Sequence, residues 1–420
     1  MDPRDPCDAP PQALPGWREA LECLLAAAVP VEGTEELPLA EAEGRILAQE
    51  VRLDRAEPPV PRSAMDGFAL RAADGEAPRR LLPAIYAGTA ELPEIGPGEA
   101  APVMTGGTVP PGADAVVPVE HTRVEEGRLH LEAAVEPGAH VRRAGEMGRA
   151  GRVLLAPGLR LRLPDLIAAA GCGQARVRVR RRPRAAVWST GDEVVPWTAR
   201  PADHQVRDSN RFGTVLQLRR AGAEVAASNH APDRQEDLEA GLGRALEEAE
   251  ILVTLGGVSM GERDLLPGVF AALGVERLFH KVWIQPGKPV WAGRRGRTLV
   301  VGLPGNPVSS FTLLELFVVP LVARLAGERA AGPRPLWPGV LAGEARSGAR
   351  PRFLPAGLMP GPEGELRVRP LPATGSGDWT SLAGARALLH LPPRQRAGPG
   401  DPVQFLFLDP PGPDPAGAAG

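Results

Sequence analysis

The chain has 420 residues, room for two to four domains at about 100–200 residues each. Its 48 Lys and Arg against 51 Asp and Glu give a formal net charge of −3, which offers no basic surface for non-specific nucleic-acid binding. With 43% hydrophobic and 24% charged residues it is an ordinary globular mixture, not a disordered one. Gly 50 and Pro 48 are numerous but follow no period, so many turns are expected and collagen is excluded. Cys7, Cys23 and Cys172 form no CxxC pair, which gives neither a disulfide framework nor a zinc knuckle. No uninterrupted apolar run reaches about 18 residues and MDPRDPCDAPP is no signal peptide, so a cytoplasmic chain without a membrane span is expected.

In chain order, residues 1–16 and 409–420 are Pro/Gly/Ala-rich and expected to be disordered. Trp17, Leu21, Leu24 and Leu25 share one helical face over 17–28, and PLAEAEGRILAQ at 38–49 reads as a second helix. From 52 to 146, short runs broken by Gly and Pro indicate a small β-rich unit. An arm of residues 17–51 and 147–183 flanks it. The Arg-rich VRVRRRPR at 177–184 has no interleaved aromatics, so it reads as a solvated strand edge or linker. Residues 184–328 alternate strands and helices: a β run to Thr190, a helix 210–221 after Asp208-Ser209, a β run 223–228 and a helix 236–248. ILVTL at 251–255, a helix 262–273, β segments near 278–285 and 298–303, and an apolar helix 307–326 complete it. That alternation predicts a parallel-type α/β sheet flanked by helices. Residues 335–408 return to short strands, a small β-barrel-like end domain.

Among the 48 basic residues only Lys281 and Lys288 are lysine, and they are neighbours in the order of basic residues. Lysine is a compact, rotatable point charge that the planar arginine fork does not copy. The segment KVWIQPGKP is therefore read as needing lysine for its chemistry. Ligands of open α/β sheets bind beyond the carboxyl ends of the strands, and there the sequence places three small-residue loops. They are Ser189-Thr190-Gly191, then Gly256-Gly257-Val258-Ser259, then Pro304-Gly305-Asn306-Pro307-Val308-Ser309. Each alone reads as a turn; three at one sheet edge, one opening a helix, read as an anion site. None is G-x-G-x-x-G or a Walker A loop. Glu193, Asp208, Asp233 and Asp264 fall at the same strand ends. Singly they are helix caps; together with the lysines they describe a pocket for anions and a divalent cation, suited to metal-assisted phosphoester or phosphoanhydride chemistry. His230 and His280 read as structural, and no nucleophilic triad is present.

The strings SAMDGFA, VMTGG, VRRAGE, STGDE, DSNRF, TLGGVSMGERD, QPGKP and GLPGNPVSS, in this order, resemble the molybdopterin molybdenumtransferase family of MoeA-type enzymes and the gephyrin E domain. The resemblance runs from residue 17 to about 408. It implies insertion of molybdenum from molybdate into adenylylated molybdopterin with release of AMP, Mg²⁺ or another divalent cation, four domains and a homodimer whose sites are shared between subunits. By matching position, Glu193, Asp233 and Asp264 would hold Mg²⁺ or position the pterin, while Asp208, Ser209 and Gly257 would sit in pterin-nucleotide loops. Lys281 and Lys288 would meet phosphate and molybdate, and Lys288, Pro289, Ser309, Arg350 and Ser376 would surround the molybdate oxyanion. Asp66 and Thr105 would enter from the partner subunit, with Arg142 and Glu146 in the arm.

Three positions depart from the family pattern. Met147 stands where many members have aspartate, Gln285 where some have lysine, and Thr374 where glutamine is frequent. A contact with the molybdopterin adenylyltransferase, which makes the substrate, is a further expectation. Two alternatives stay open at the level of sequence: the related adenylyltransferase itself, which lacks the flanking segments found here, and a non-catalytic molybdopterin-binding scaffold.

Overall fold

A computed structural model describes residues 14–258 and 264–408. Ser259, nearly all of 1–16 and the whole of 409–420 therefore lie outside the described residues. The helix Trp17–Ala26 turns Trp17, Ala20, Leu21 and Leu24 inward, and they join the core of the α/β unit with Leu299, Val301, Phe317 and Leu321.

The chain then runs to a separate small core built around Leu47, Val51, Leu155, Val177 and Val179. Here the structure corrects the expected helix at 38–49. Thr34–Pro38 is instead a strand, antiparallel to Arg176–Arg180, followed by a single 3₁₀ turn at Leu39–Glu41. Pro38 opens that segment in extended geometry, and the left-handed Gly44 (φ 73°) breaks it in the middle. The arginine run becomes intelligible in this ladder. Val177 and Val179 face the core, and the alternate arginines face out.

The β-rich unit is a six-stranded sheet in the order 115–118, 67–70, 99–103, 79–81, 128–131, 122–125. Apolar clusters cover both its faces, which is why Gly67–Leu70 is buried throughout. A Cβ on Gly67 would lie 2.0 Å from the Val117 carbonyl oxygen, so only glycine fits beside Asp66.

The central unit has six strands: β1 Arg184–Thr190, β2 Glu224–Ala231, β3 Ile251–Leu255, β4 Glu276–His280, β5 Trp291–Arg295 and β6 Thr298–Leu303. Their order is β2-β1-β3-β6-β5-β4. The first four in that order are mutually parallel, whereas β5 is antiparallel to both β6 and β4. The expected parallel-type sheet is thus present, with its parallel run ending at β6. Helices Ser209–Ala221, Gln235–Glu248 and Leu266–Ala272 flank the sheet. The long helical segment Pro307–Leu325 is apolar enough to cross a membrane, but 78% of it is buried in this core. A closed five-stranded barrel follows, in the order 337–341, 366–370, 352–360, 387–391, 402–407.

Candidate functional site

Because β5 runs against its two neighbours, β4 is again parallel to β6. Lys281, just after β4, and Lys288, just before β5, therefore lie at the same sheet edge as the carboxyl ends of β1, β3 and β6. Gly256 N donates to the Leu303 carbonyl at 2.9 Å, joining two of the small-residue loops. Asn210 Nδ2 donates to the Gly305 carbonyl at 2.6 Å, and Asn306 Nδ2 donates to Ser376 Oγ at 3.1 Å. Val308 N also donates to the Ser376 carbonyl at 3.0 Å. Ser376 of the barrel unit is thus seated on the loop Pro304–Pro307, above the first helical turn that holds buried Ser309.

The lysine segment is a tight turn. Lys281 N donates to Val290 O at 2.8 Å and Val282 N to Lys288 O at 3.0 Å. Lys281 is 2% exposed and adopts φ 67°, a left-handed conformation uncommon for a residue with a side chain. Gly287 has φ 100°, and a Cβ there would lie 2.8 Å from Leu313 Cγ. Arg350 Nη1 donates to Ile284 O at 2.9 Å, and Gln285 N donates to Pro351 O at 2.9 Å. Burial lowers the Arg350 pKa from the usual guanidinium value. These bonds fix the turn, and Pro289 within it, against the start of the barrel.

At the β1 end, Ser189 Oγ donates to Asp208 Oδ2 at 2.6 Å, and Arg211 Nε donates to the same oxygen at 2.6 Å. Asp208 also caps its helix by accepting from Arg211 N at 3.1 Å. Buried and accepting three hydrogen bonds, Asp208 organises the loop and leaves Ser209 exposed beside it. His230 Nδ1 lies 3.2 Å from Ser189 Oγ. Asp233 N donates to Asp192 Oδ1 at 3.3 Å. Burial, then the Asp192 and Glu193 carboxylates, push the Asp233 carboxyl above the usual range, opposed by His230 and by a hydrogen bond with Thr190. On the far side of the sheet edge, His280 Nε2 donates to Val258 O at 3.1 Å. Burial lowers the His280 pKa, while Asp264 lies close enough to raise it.

Among the described residues no three carboxylate, histidine or cysteine ligands converge on one point, so Glu193, Asp233 and Asp264 are not a preformed three-ligand cage. Mg²⁺ needs no such cage, because it takes one or two carboxylates with substrate phosphates and water. Burial first, and then the nearby Asp192 and Glu193 carboxylates, raise the Asp233 pKa, so these oxygens lie close enough together for one cation to meet two of them. The donor set therefore fits a hard divalent ion.

Asp66 and Thr105 meet each other. Asp66 Oδ1 accepts from Thr105 N at 2.6 Å and from Thr105 Oγ1 at 2.7 Å, and these bonds hold the Asp66 carboxyl below its usual range. Both are exposed, on a sheet that shares no strand with the central one. Residue-by-residue reading gave Asn210, Arg211 and Asp192 no role of their own and read His230 as structural. The available signal was position: each falls within three residues of a strand end or of the Asp208 cap.

Comparison with known proteins gives the family. Residues 16–173 match the MoeA N-terminal region (domain I and II), 186–324 a probable molybdopterin binding domain, and 339–408 the MoeA C-terminal region (domain IV). The chain belongs to the MoeA family. A relative from Synechocystis sp., named molybdopterin molybdenumtransferase, is 33% identical over 84% of this chain and 89% of its own length. One from Mycobacterium tuberculosis, named molybdopterin molybdenumtransferase 2, is 37% identical over 68% of this chain and 73% of its own. The crystal structure of the molybdopterin biosynthesis MoeA protein from Pyrococcus horikoshii superposes with a TM-score of 0.77 at 26% identity. That match covers 94% of this chain and 100% of that one. The MoeA-type fold thus extends from the N-terminal helix through the barrel.

Proposed function

We propose that this chain is a molybdopterin molybdenumtransferase, which inserts molybdenum from molybdate into adenylylated molybdopterin and releases AMP at the end of molybdenum cofactor biosynthesis. The observation that carries the reading is the near-full-length match to relatives of that name. The site geometry supports it. Lys281 and Lys288 put positive charge at the sheet edge, where anionic phosphate and molybdate are stabilised by preorganised donors. Ser309, Ser376, Pro289 and Arg350 wall that end. Ser189, Thr190, Gly191, Gly256, Gly257, Pro304, Gly305, Asn306 and Pro307 supply narrow loops whose backbone can approach a nucleotide phosphate. Asp208 and Ser209 open the adjoining helix. Glu193, with Asp233 or Asp264, would hold Mg²⁺, which supplies charge neutralisation at the phosphoanhydride. Asp66 and Thr105 would complete the site from the partner subunit of a homodimer, in the cytoplasm, with substrate handed over by the adenylyltransferase.

The test is incubation of the purified chain with adenylylated molybdopterin and molybdate, with and without Mg²⁺, while AMP and protein-bound molybdenum are measured. Metal-dependent AMP release matched by molybdenum insertion is expected. Binding without AMP release would favour a scaffold, and ATP-dependent adenylylation of molybdopterin would favour the adenylyltransferase reading.

A further inference from the structure

Asparagine occurs only three times in the chain, as Asn210, Asn229 and Asn306. Asn210 and Asn306 are successive links in one line of hydrogen bonds across the sheet edge. The line starts from an anchored turn. Asp208 is buried, and its Oδ2 accepts from Ser189 Oγ of β1 and from Arg211 Nε, both at 2.6 Å. Arg211 Nη1 donates to Ser228 O of β2 at 3.2 Å. The first turn of helix Ser209–Ala221 is therefore tied to two strands.

From that turn Asn210 Nδ2 donates to Gly305 O at 2.6 Å, in the loop after β6. In the sheet β3 separates β1 from β6, so the Asn210 amide joins two loops that share no ladder. The next residue continues the line. Asn306 Nδ2 donates to Ser376 Oγ at 3.1 Å, and Val308 N donates to Ser376 O at 3.0 Å. An amide N–H only donates, so Ser376 Oγ accepts in that bond and its own proton is not spent on Asn306. The Asn210 bond is not needed to satisfy a buried group, because Gly305 is exposed and water would serve its carbonyl as well. What the bond adds is position. We propose that Asn210 is a positioning residue: through Gly305 and Asn306 it fixes the Ser376 hydroxyl for donation to the oxyanion substrate, without touching that substrate itself. The inference rests on the molybdenumtransferase reading for the oxyanion, whereas the line from Asn210 to Ser376 stands on the hydrogen bonds alone.

Asn210→Leu keeps the size of the side chain and removes the donor. It should raise the KM for molybdate about three- to tenfold, lower kcat for AMP release by less, and leave the thermal midpoint unchanged. Ser376→Ala should raise the same KM. In the double variant Asn210→Leu should then add little, since its effect passes through the deleted hydroxyl. Additive losses would show that Asn210 acts by another route, and a wild-type KM in either single variant would show that the bonds only brace the loop; each overturns the proposal. A KM rise matched by a fall in thermal midpoint would mean general loosening and overturns it too. In ligand-free protein, Asn210→Leu should speed hydrogen exchange at the Val308 amide, which is bonded to Ser376 O, and leave the amides of Ile251–Leu255 at wild-type protection. Unchanged Val308 exchange would break the line and the proposal with it. Wild-type protein that shows the Val308 response but releases no AMP would refute the functional reading, and the oxyanion role of Ser376 with it, while the tie from Asn210 to Ser376 would stand.

Discussion

Gly287→Ala tests whether the lysine turn is held in place by packing. The added Cβ would lie 2.8 Å from Leu313 Cγ and Cδ1 and 3.0 Å from Cδ2. Leu313 is fully buried in the main core, so it cannot swing away. Overpacking of this kind costs about 1–3 kcal/mol. The backbone φ of 100° adds strain for any residue with a side chain, on the order of 1–3 kcal/mol. The variant should lose about 2–6 kcal/mol of stability, read as the shift in denaturant midpoint at constant slope. Leu313→Ala in the same chain removes the clash but not the strain. The double variant should therefore be less destabilised than the sum of the singles, by about 1–3 kcal/mol. Lys288 is the next residue, so AMP release should fall by about 10²-fold for a displacement near 1 Å. Additive single effects, or a fully active Gly287→Ala protein, would refute the account.

Lys288→Arg should lower AMP release by about 10²–10³-fold although charge is kept, because the wider guanidinium misplaces the oxyanion; a wild-type rate would oppose this. Glu193→Gln and Asp264→Asn should raise the Mg²⁺ concentration needed for activity more than they lower thermal stability, and an unchanged metal dependence would reduce both to loop caps. His390 is packed among Trp17 and Phe353, and burial, with Arg18, pushes its pKa down to about 4. The neutral form is the one that folds, so stability should fall as pH drops from 6.5 towards 4, by about 3 kcal/mol at most. His390→Leu should flatten that part of the pH–stability curve. Mixed Asp66→Ala and Lys288→Ala proteins should recover roughly a quarter of wild-type activity after random subunit exchange, since half the dimers are mixed and each has one intact site. No recovery, with exchange verified by native mass spectrometry, would place both residues in one chain's site.

Periodicity made the central unit readable because its signals are local. ILVTL is continuously apolar and is buried at every position in β3. The Asp208 cap opens its helix as expected, and left-handed Gly222 ends it. The 38–49 segment failed for the opposite reason. Its composition favours a helix, but Thr34–Pro38 is claimed by a strand more than 130 residues away, and tertiary pairing overrides propensity.

The site itself divides along the same line. Loop residues such as Gly256 and Asn306 announce themselves by type, whereas the meeting of Lys281 and Lys288 at one edge depends on β5. That strand, WAGRR, has a glycine and two arginines and carries little β signal. Without it the lysines belong to an irregular segment of unknown direction. With it, the chain turns back once, and both lysines come to the edge where β1, β3 and β6 end. His230 was hidden similarly. A lone histidine at a strand end is uninformative until Ser189, Asp208 and Arg211 are known to surround it, and those three come from two further elements. The candidate residue types were thus legible as composition, and what the sequence withheld was the relation between elements that brings isolated side chains together.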